Sequence, residues 1–195
     1  MAANNKRKIL LHICCAPCAS YVLSELEKEN FVVTGFFYNP EVHGRAEYKR
    51  RLDDALQLFT EKGVELIVPE YDMQEFLAPL MPYQDIHSIK YISDKKRYRR
   101  KRCQFCVSNI IQRTILQTKE LKYKYFSTTM LCSPYRDHDE IWDKSLELAT
   151  QQKLNFFYKD FRKGYWTGRN YARSHNLMIP RYCGCADSLD EGRLE

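Results

Sequence analysis

Long apolar runs are missing from this chain. The run Ile9 to Leu11, broken by His12, is too short for a secretion-signal core or a membrane span. Also missing is a glycine-rich phosphate loop of either common type, which counts against a conventional nucleotide enzyme. The five histidines are scattered, and no two pair at the helical spacing of a zinc protease site. Repeats, low-complexity tracts and linkers are absent too. Acidic residues are only slightly outnumbered, 25 against 31 basic, so the net charge of +6 permits a polyanionic partner without requiring one. At 195 residues and 44% hydrophobic content, one substantial core can close but two cannot, so a single domain spanning residues 1–195 is expected. Without a leader or span the expectation is a cytoplasmic protein with no membrane partner. In that reducing compartment, abundant cysteine points to metal binding or redox chemistry ahead of permanent disulfides.

Cysteine is what the chain does have. Cys14 and Cys15 are adjacent with Cys18 close behind, Cys103 and Cys106 flank Gln104-Phe105, and Cys183 and Cys185 flank Gly184. Pro17 suits the first turn of a helix, which would set the first group near a positive helix end that favours thiolate. Cys18 reads as readily as a core residue, and Cys132 as a core or site-lining thiol. Cys103 and Cys106 sit where a basic loop is expected to enter a helix near Val107. Four closely paired thiolates, Cys14, Cys15, Cys103 and Cys106, fit the all-cysteine ligation of a four-iron cluster or of structural zinc, and spacing does not choose between them. Cys183-Gly184-Cys185 would close a small, labile disulfide, which suits a two-electron relay, while its dithiolate could instead hold an extra metal ion.

Periodicity alternates between strand and helix. Lys8 to Cys14, Phe31 to Tyr38, Val64 to Val68, Tyr123 to Met130 and Asn155 to Tyr158 read as strands; Ser20 to Glu29, Ala46 to Lys62, Val107 to Thr118, Ile141 to Gln151 and Asn170 to Asn176 read as helices. Gln74 to Ile92 is ambiguous because Pro79 and Pro82 break its pattern. The alternation predicts an α/β fold of Rossmann-like, three-layer type with a mainly parallel sheet. Sites in such folds lie beyond the carboxyl ends of the strands. There the sequence gathers Cys14 and Cys15, then Tyr38, Asn39 and His43, then Tyr71 and Asp72, then Cys132, then Asp160 and Arg162. Asp53 and Asp54 fall on the outer face of a helix.

A basic run, Lys95, Lys96, Arg97, Arg99, Arg100, Lys101 and Arg102, leads into Cys103 with only Tyr98 interrupting. It has the look of a phosphate-tracking strip. Aromatics interleave with cations at Lys122 to Tyr125 and again at Phe161 to Tyr171, offering base-stacking surfaces.

With LHICCAPC at residues 11 to 18, GFFYNPEVH at 35 to 43, EYKRR at 47 to 51, RCQFC at 102 to 106, TTMLCSPY at 128 to 135, DFRKGY at 160 to 165 and YCGC at 182 to 185, the chain resembles the QueH family of epoxyqueuosine reductases. The resemblance covers nearly all of it. It implies a cobalamin-independent oxidoreductase that removes the epoxide oxygen of epoxyqueuosine in the anticodon loop of tRNA, the last step of queuosine formation. It implies a [4Fe-4S] cluster on Cys14, Cys15, Cys103 and Cys106, with Cys183 and Cys185 as a redox pair or as holders of an additional iron. It also implies an electron donor, which the sequence does not identify, and a proton donor, for which His43, Tyr135 and Asp160 are candidates. One departure is MIPRYCGC at 178 to 185, where family members tend to carry an arginine and glutamine before the motif. Two rivals use the same residues. One is a zinc-stabilised, non-catalytic RNA-binding module. The other is an ATP-dependent tRNA-thiolating enzyme, whose serine- and glycine-rich loop after the first strand is lacking here.

Overall fold

Five short strands form one fully parallel sheet in the computed structural model, which describes residues 6–77, 79 and 92–190. They are β1 (Arg7–His12), β2 (Phe31–Phe36), β3 (Leu66–Ile67), β4 (Tyr125–Thr128) and β5 (Asn155–Phe156). The helices are α1 (Ala16–Lys28), α2 (Arg45–Lys62), α3 (Met73–Leu77), α4 (Ile92–Glu120), α5 (His138–Gln151), α6 (Tyr165–Ser174) and α7 (Ala186–Asp190). The strand order is β3-β2-β1-β4-β5, so the sheet grows in one direction from β1 to β3 and in the other from β1 to β5. The crevice between β1 and β4 is therefore the point where strand order reverses, the place where open α/β sheets as a class hold their ligands.

β1 lies at the centre because its residues from Ile9 to His12 are buried on both faces. Ile9, Leu10, Leu11 and Ile13 are fully buried, as a strand covered on both faces requires. α1 packs on α2 and α6, while α4 packs on α5 and against β1 and β4. These are the outer layers of the expected three-layer α/β fold. Among the described residues no helix is long and apolar enough to cross a membrane.

Several boundaries move from their expected places. β1 stops at His12 and α1 begins at Ala16, so Cys18 lies inside the helix's first turn. Pro17 starts α1 because a residue in that turn needs no N–H partner. α4 is the largest correction: it runs unbroken through the basic segment for 29 residues, so Cys103 and Cys106 are within a helix rather than on a loop entering one. The run Lys95 to Arg102 has no apolar periodicity of its own, which hid this continuity. α6 begins at Tyr165 and ends at Ser174, earlier than Asn170 to Asn176. The greater part of Gln74 to Ile92 lies outside the described residues.

Candidate metal centre

The register of β1 on β4 pairs Leu11 with Ser127 and His12 with Thr128, which brings the turn after β1 against the 3₁₀ turn Thr129–Cys132 that follows β4. His12 is fully buried there, with Nε2 3.0 Å from the Tyr38 carbonyl oxygen and Nδ1 2.9 Å from Thr128 Oγ1. A carbonyl oxygen only accepts, so Nε2 carries the proton and the Thr128 hydroxyl donates to Nδ1. Burial holds the imidazole down to about 4, which makes His12 a neutral strut between β2 and β4. Asn39 Nδ2 donates to the Ile13 carbonyl at 2.9 Å and fixes the next residue.

On this frame the sulfurs of Cys14, Cys15 and Cys18 all lie within 4.8 Å of one another. The Cys14 backbone N–H donates to Thr129 Oγ1 at 2.9 Å, and that hydroxyl donates onward to Cys14 Sγ at 3.1 Å. Hydrogen bonds from the Cys15 and Cys18 thiols, then from Thr129, push the Cys14 thiol well below its ordinary value. The proton is displaced onto its neighbours. Cys15 is pushed up by its bond to Cys14, and Cys18 by its bond to the buried Cys132 and then to Cys14. One thiolate braced by two thiols at a helix N-terminus is a donor set that fits a soft metal ion or an iron-sulfur cluster.

The second cysteine group lies across the same rim. Arg102, Cys106, Asn109 and Arg113 follow one another at spacings of four, three and four, which makes them one face of α4. That face is docked on the loop after β2: Tyr38 OH donates to Asn109 Oδ1 at 3.1 Å, and the Arg113 guanidinium lies 5.4 Å from the Tyr38 ring. Cys106 is buried and Cys103 half-buried; burial and the nearby Glu41 push the Cys106 thiol well up.

The Cys183-Gly184-Cys185 turn is clamped from α2. Arg51, itself buried and paired with Glu47 at 2.9 Å, donates to the Tyr182 carbonyl at 3.0 Å and the Cys183 carbonyl at 3.3 Å. The His43 N–H donates to the Gly184 carbonyl at 2.8 Å. Gly184 has φ +113°, and a Cβ there would meet Val42 at 2.9 Å and Arg51 at 3.0 Å, so only glycine fits. No disulfide joins any of the eight cysteines. A hydrogen bond from Cys183 lowers Cys185 to about 7, leaving it readily ionised.

Among the described residues, three thiols or more converge within 4.8 Å only at Cys14, Cys15 and Cys18; Cys103, Cys106, Cys183 and Cys185 face the same rim without joining that knot. Of the proton-donor candidates, His43 is exposed beside Gly184, and Tyr135 is exposed beyond β4. Asp160 is bound by Arg162 at 2.5 to 3.0 Å and held down to about 2, so at neutral pH it has no proton to give.

Spacing did not single out Thr129, His12 or Glu41, and it left Cys18 evenly between a core residue and a ligand. Glu41 is buried, its Oε2 has no hydrogen-bond partner among the described residues, and burial, then the nearby Cys183, raise it to about 8. Its one signal was position, in the loop after a strand on the edge where ligands bind. A cavity of about 490 Å³ lies away from this rim, lined by Lys6, Lys8, Val32 and Tyr123 among others, and holds none of these thiols.

Comparison with known proteins gives concordant findings. The family model for epoxyqueuosine reductase QueH matches residues 9–191. The Epoxyqueuosine reductase QueH of Dehalococcoides mccartyi is 30% identical over 93% of this chain and 92% of its own length. That of Thermotoga maritima is 28% identical over 95% of this chain and 92% of its own length. In fold, the chain is similar to a solved structure from Methanocaldococcus jannaschii described as a predicted subunit of tRNA methyltransferase, with a TM-score of 0.50, 14% identity, and coverage of 85% of this chain and 74% of that one.

Proposed function

The chain belongs to the epoxyqueuosine reductase QueH family, and on that premise we propose that it converts epoxyqueuosine in a tRNA anticodon loop to queuosine, removing the epoxide oxygen without cobalamin. The observation that carries this reading is the knot formed by Cys14, Cys15 and Cys18 at the switch point of the sheet, with one thiolate braced for metal. Cys14, Cys15, Cys103 and Cys106 would hold the [4Fe-4S] cluster, with Cys18 beside it as a further sulfur. Bound there, such a cluster supplies single electrons and an electrophilic iron.

The electron balance closes on the protein's own thiols. Breaking both carbon-oxygen bonds of the epoxide to give an alkene and water takes two electrons and two protons. Oxidation of the Cys183 and Cys185 thiols to a disulfide releases two of each. With Cys185 lowered to about 7, a thiolate is available near neutral pH. His43, held beside Gly184, and Tyr135 carry protons to the departing oxygen, while Asp160 orients Arg162. A separate electron donor returns the disulfide to the dithiol.

The test is iron and sulfide analysis after purification without oxygen, joined to an assay on epoxyqueuosine-containing tRNA. A brown protein that forms queuosine is expected, and Cys14→Ala should lose both the cluster absorbance and turnover. A variant that keeps both rejects the ligand assignment. A colourless protein carrying stoichiometric zinc, inactive on that tRNA, rejects the enzymatic reading in favour of the RNA-binding module.

A further inference from the structure

Beside the cysteine knot stands a group of aromatic rings of which the chemistry above uses Tyr135 alone. Trp166, in the first turn of α6, is 62% exposed, and Tyr135, beyond β4, is 58% exposed. Between them the buried Tyr165 meets Tyr135 edge-on at 5.8 Å and Trp166 edge-on at 5.3 Å. The Arg169 guanidinium lies 5.2 Å from the Tyr165 ring and 5.6 Å from the Trp166 ring, and donates to Tyr165 OH at 2.9 Å. Large apolar rings left in water at this density mark a binding surface. Cations stand beside them. Lys163 and Arg169 flank the rings, and the nearby Asp160 is neutralised by Arg162.

The platform is fixed relative to the metal centre on two sides. A Cβ on Gly168 would sit 2.1 Å from the Pro17 carbonyl oxygen, so α6 lies backbone to backbone on the turn that carries Cys15 and Cys18. Tyr135 follows Cys132, whose thiol bonds Cys18, by three residues.

We propose that Trp166, with Tyr135 and Arg169, is a stacking platform for an unpaired nucleobase next to the nucleoside held at the cysteines. This rests on the RNA substrate of the preceding reading. An aromatic face rimmed by cations and set beside a reacting centre suits a base splayed out of a loop, because every base offers a π-face and each phosphate a negative charge. A duplex, with its bases already stacked on one another, offers no free base face to Trp166.

The chain has two tryptophans, so in Trp142→Phe the remaining fluorescence reports on Trp166 alone. An unpaired RNA oligonucleotide should quench it, and a duplex of the same sequence should not. Trp166→Ala should weaken binding of the unpaired RNA about tenfold, as expected for one lost base stack, with Trp166→Phe restoring most of it. On the tRNA substrate, KM should rise with kcat and cluster absorbance unchanged. Binding of unpaired RNA without quenching, equal quenching by the duplex, or an unchanged affinity in Trp166→Ala would each overturn the platform. The two readings fail separately: quenching in a protein that never reduces the epoxide rejects the enzymatic reading and leaves the platform standing. Turnover with Trp166→Ala fully active at low tRNA concentration rejects the platform alone.

Discussion

Thr129 is tied to Cys14 twice, because a single hydroxyl accepts from the Cys14 backbone and donates to the Cys14 sulfur. Thr129→Val keeps the shape and removes both bonds. The Cys14 N–H is then buried without a partner, at a cost of about 1–3 kcal/mol in stability, and the thiolate loses a donor. In metal-free protein the pH midpoint for alkylation of Cys14, followed site by site by mass spectrometry, should move up, and its rate at neutral pH should fall. An unchanged midpoint would mean that the Cys15 and Cys18 thiols alone set the ionisation of Cys14. None of this could be read from TTMLC as a string. The hydroxyl matters only because His12 pairs with Thr128 across two strands, a register that leaves no mark in either segment.

The contact of α6 on α1 tests how the parts are held. Alanine is the better helix former by about 1 kcal/mol, so in an isolated helix Gly168→Ala would stabilise. Here its Cβ would sit 2.1 Å from the Pro17 carbonyl oxygen, a backbone atom that cannot swing aside. Thermal unfolding should therefore show a loss of roughly 1–3 kcal/mol, the usual effect of overpacking, and the displaced helix should lower RNA affinity even with Trp166 intact. A stabilised protein would show that the two helices part freely. The same pair of helices marks the limit of pattern reading. Apolar spacing at Tyr21, Leu23 and Leu26 located α1, but its first turn is made of cysteine, alanine and proline, which carry no helical rhythm, so Cys18 read as readily as a core residue as a partner of Cys14. In α4 the fault was charge. The basic run contributes nothing to a core, yet Arg102 still turns inward and adds to the forces on Cys185.

In the molecule as a whole, chain order was legible and strand order was not. Alternating strand and helix was enough to place the thiols of Cys14, Cys15 and Cys132 at strand ends on one edge, whereas the reversal at β1 depends on contacts between segments more than a hundred residues apart. That reversal sets the platform on one side of the knot and α4 on the other. The basic run is correspondingly changed by being helical. Successive residues turn about the axis, so seven cations cannot track one phosphate chain. Among those with described side chains, Arg100 and Lys101 are exposed while Arg99 is half-buried and Arg102 buried. Among these four, Arg100 and Lys101 are the two open to a phosphate. Replacing both with alanine should reduce the slope of log affinity for single-stranded RNA against log salt by about 1.4, since each neutralised phosphate contributes about 0.7. Stacking on Trp166 should leave that slope alone, because a base face releases no counterion. Titrations across salt concentrations can therefore separate the two halves of the interface, and a slope insensitive to Arg100 and Lys101 would place the phosphate contacts elsewhere on the rim.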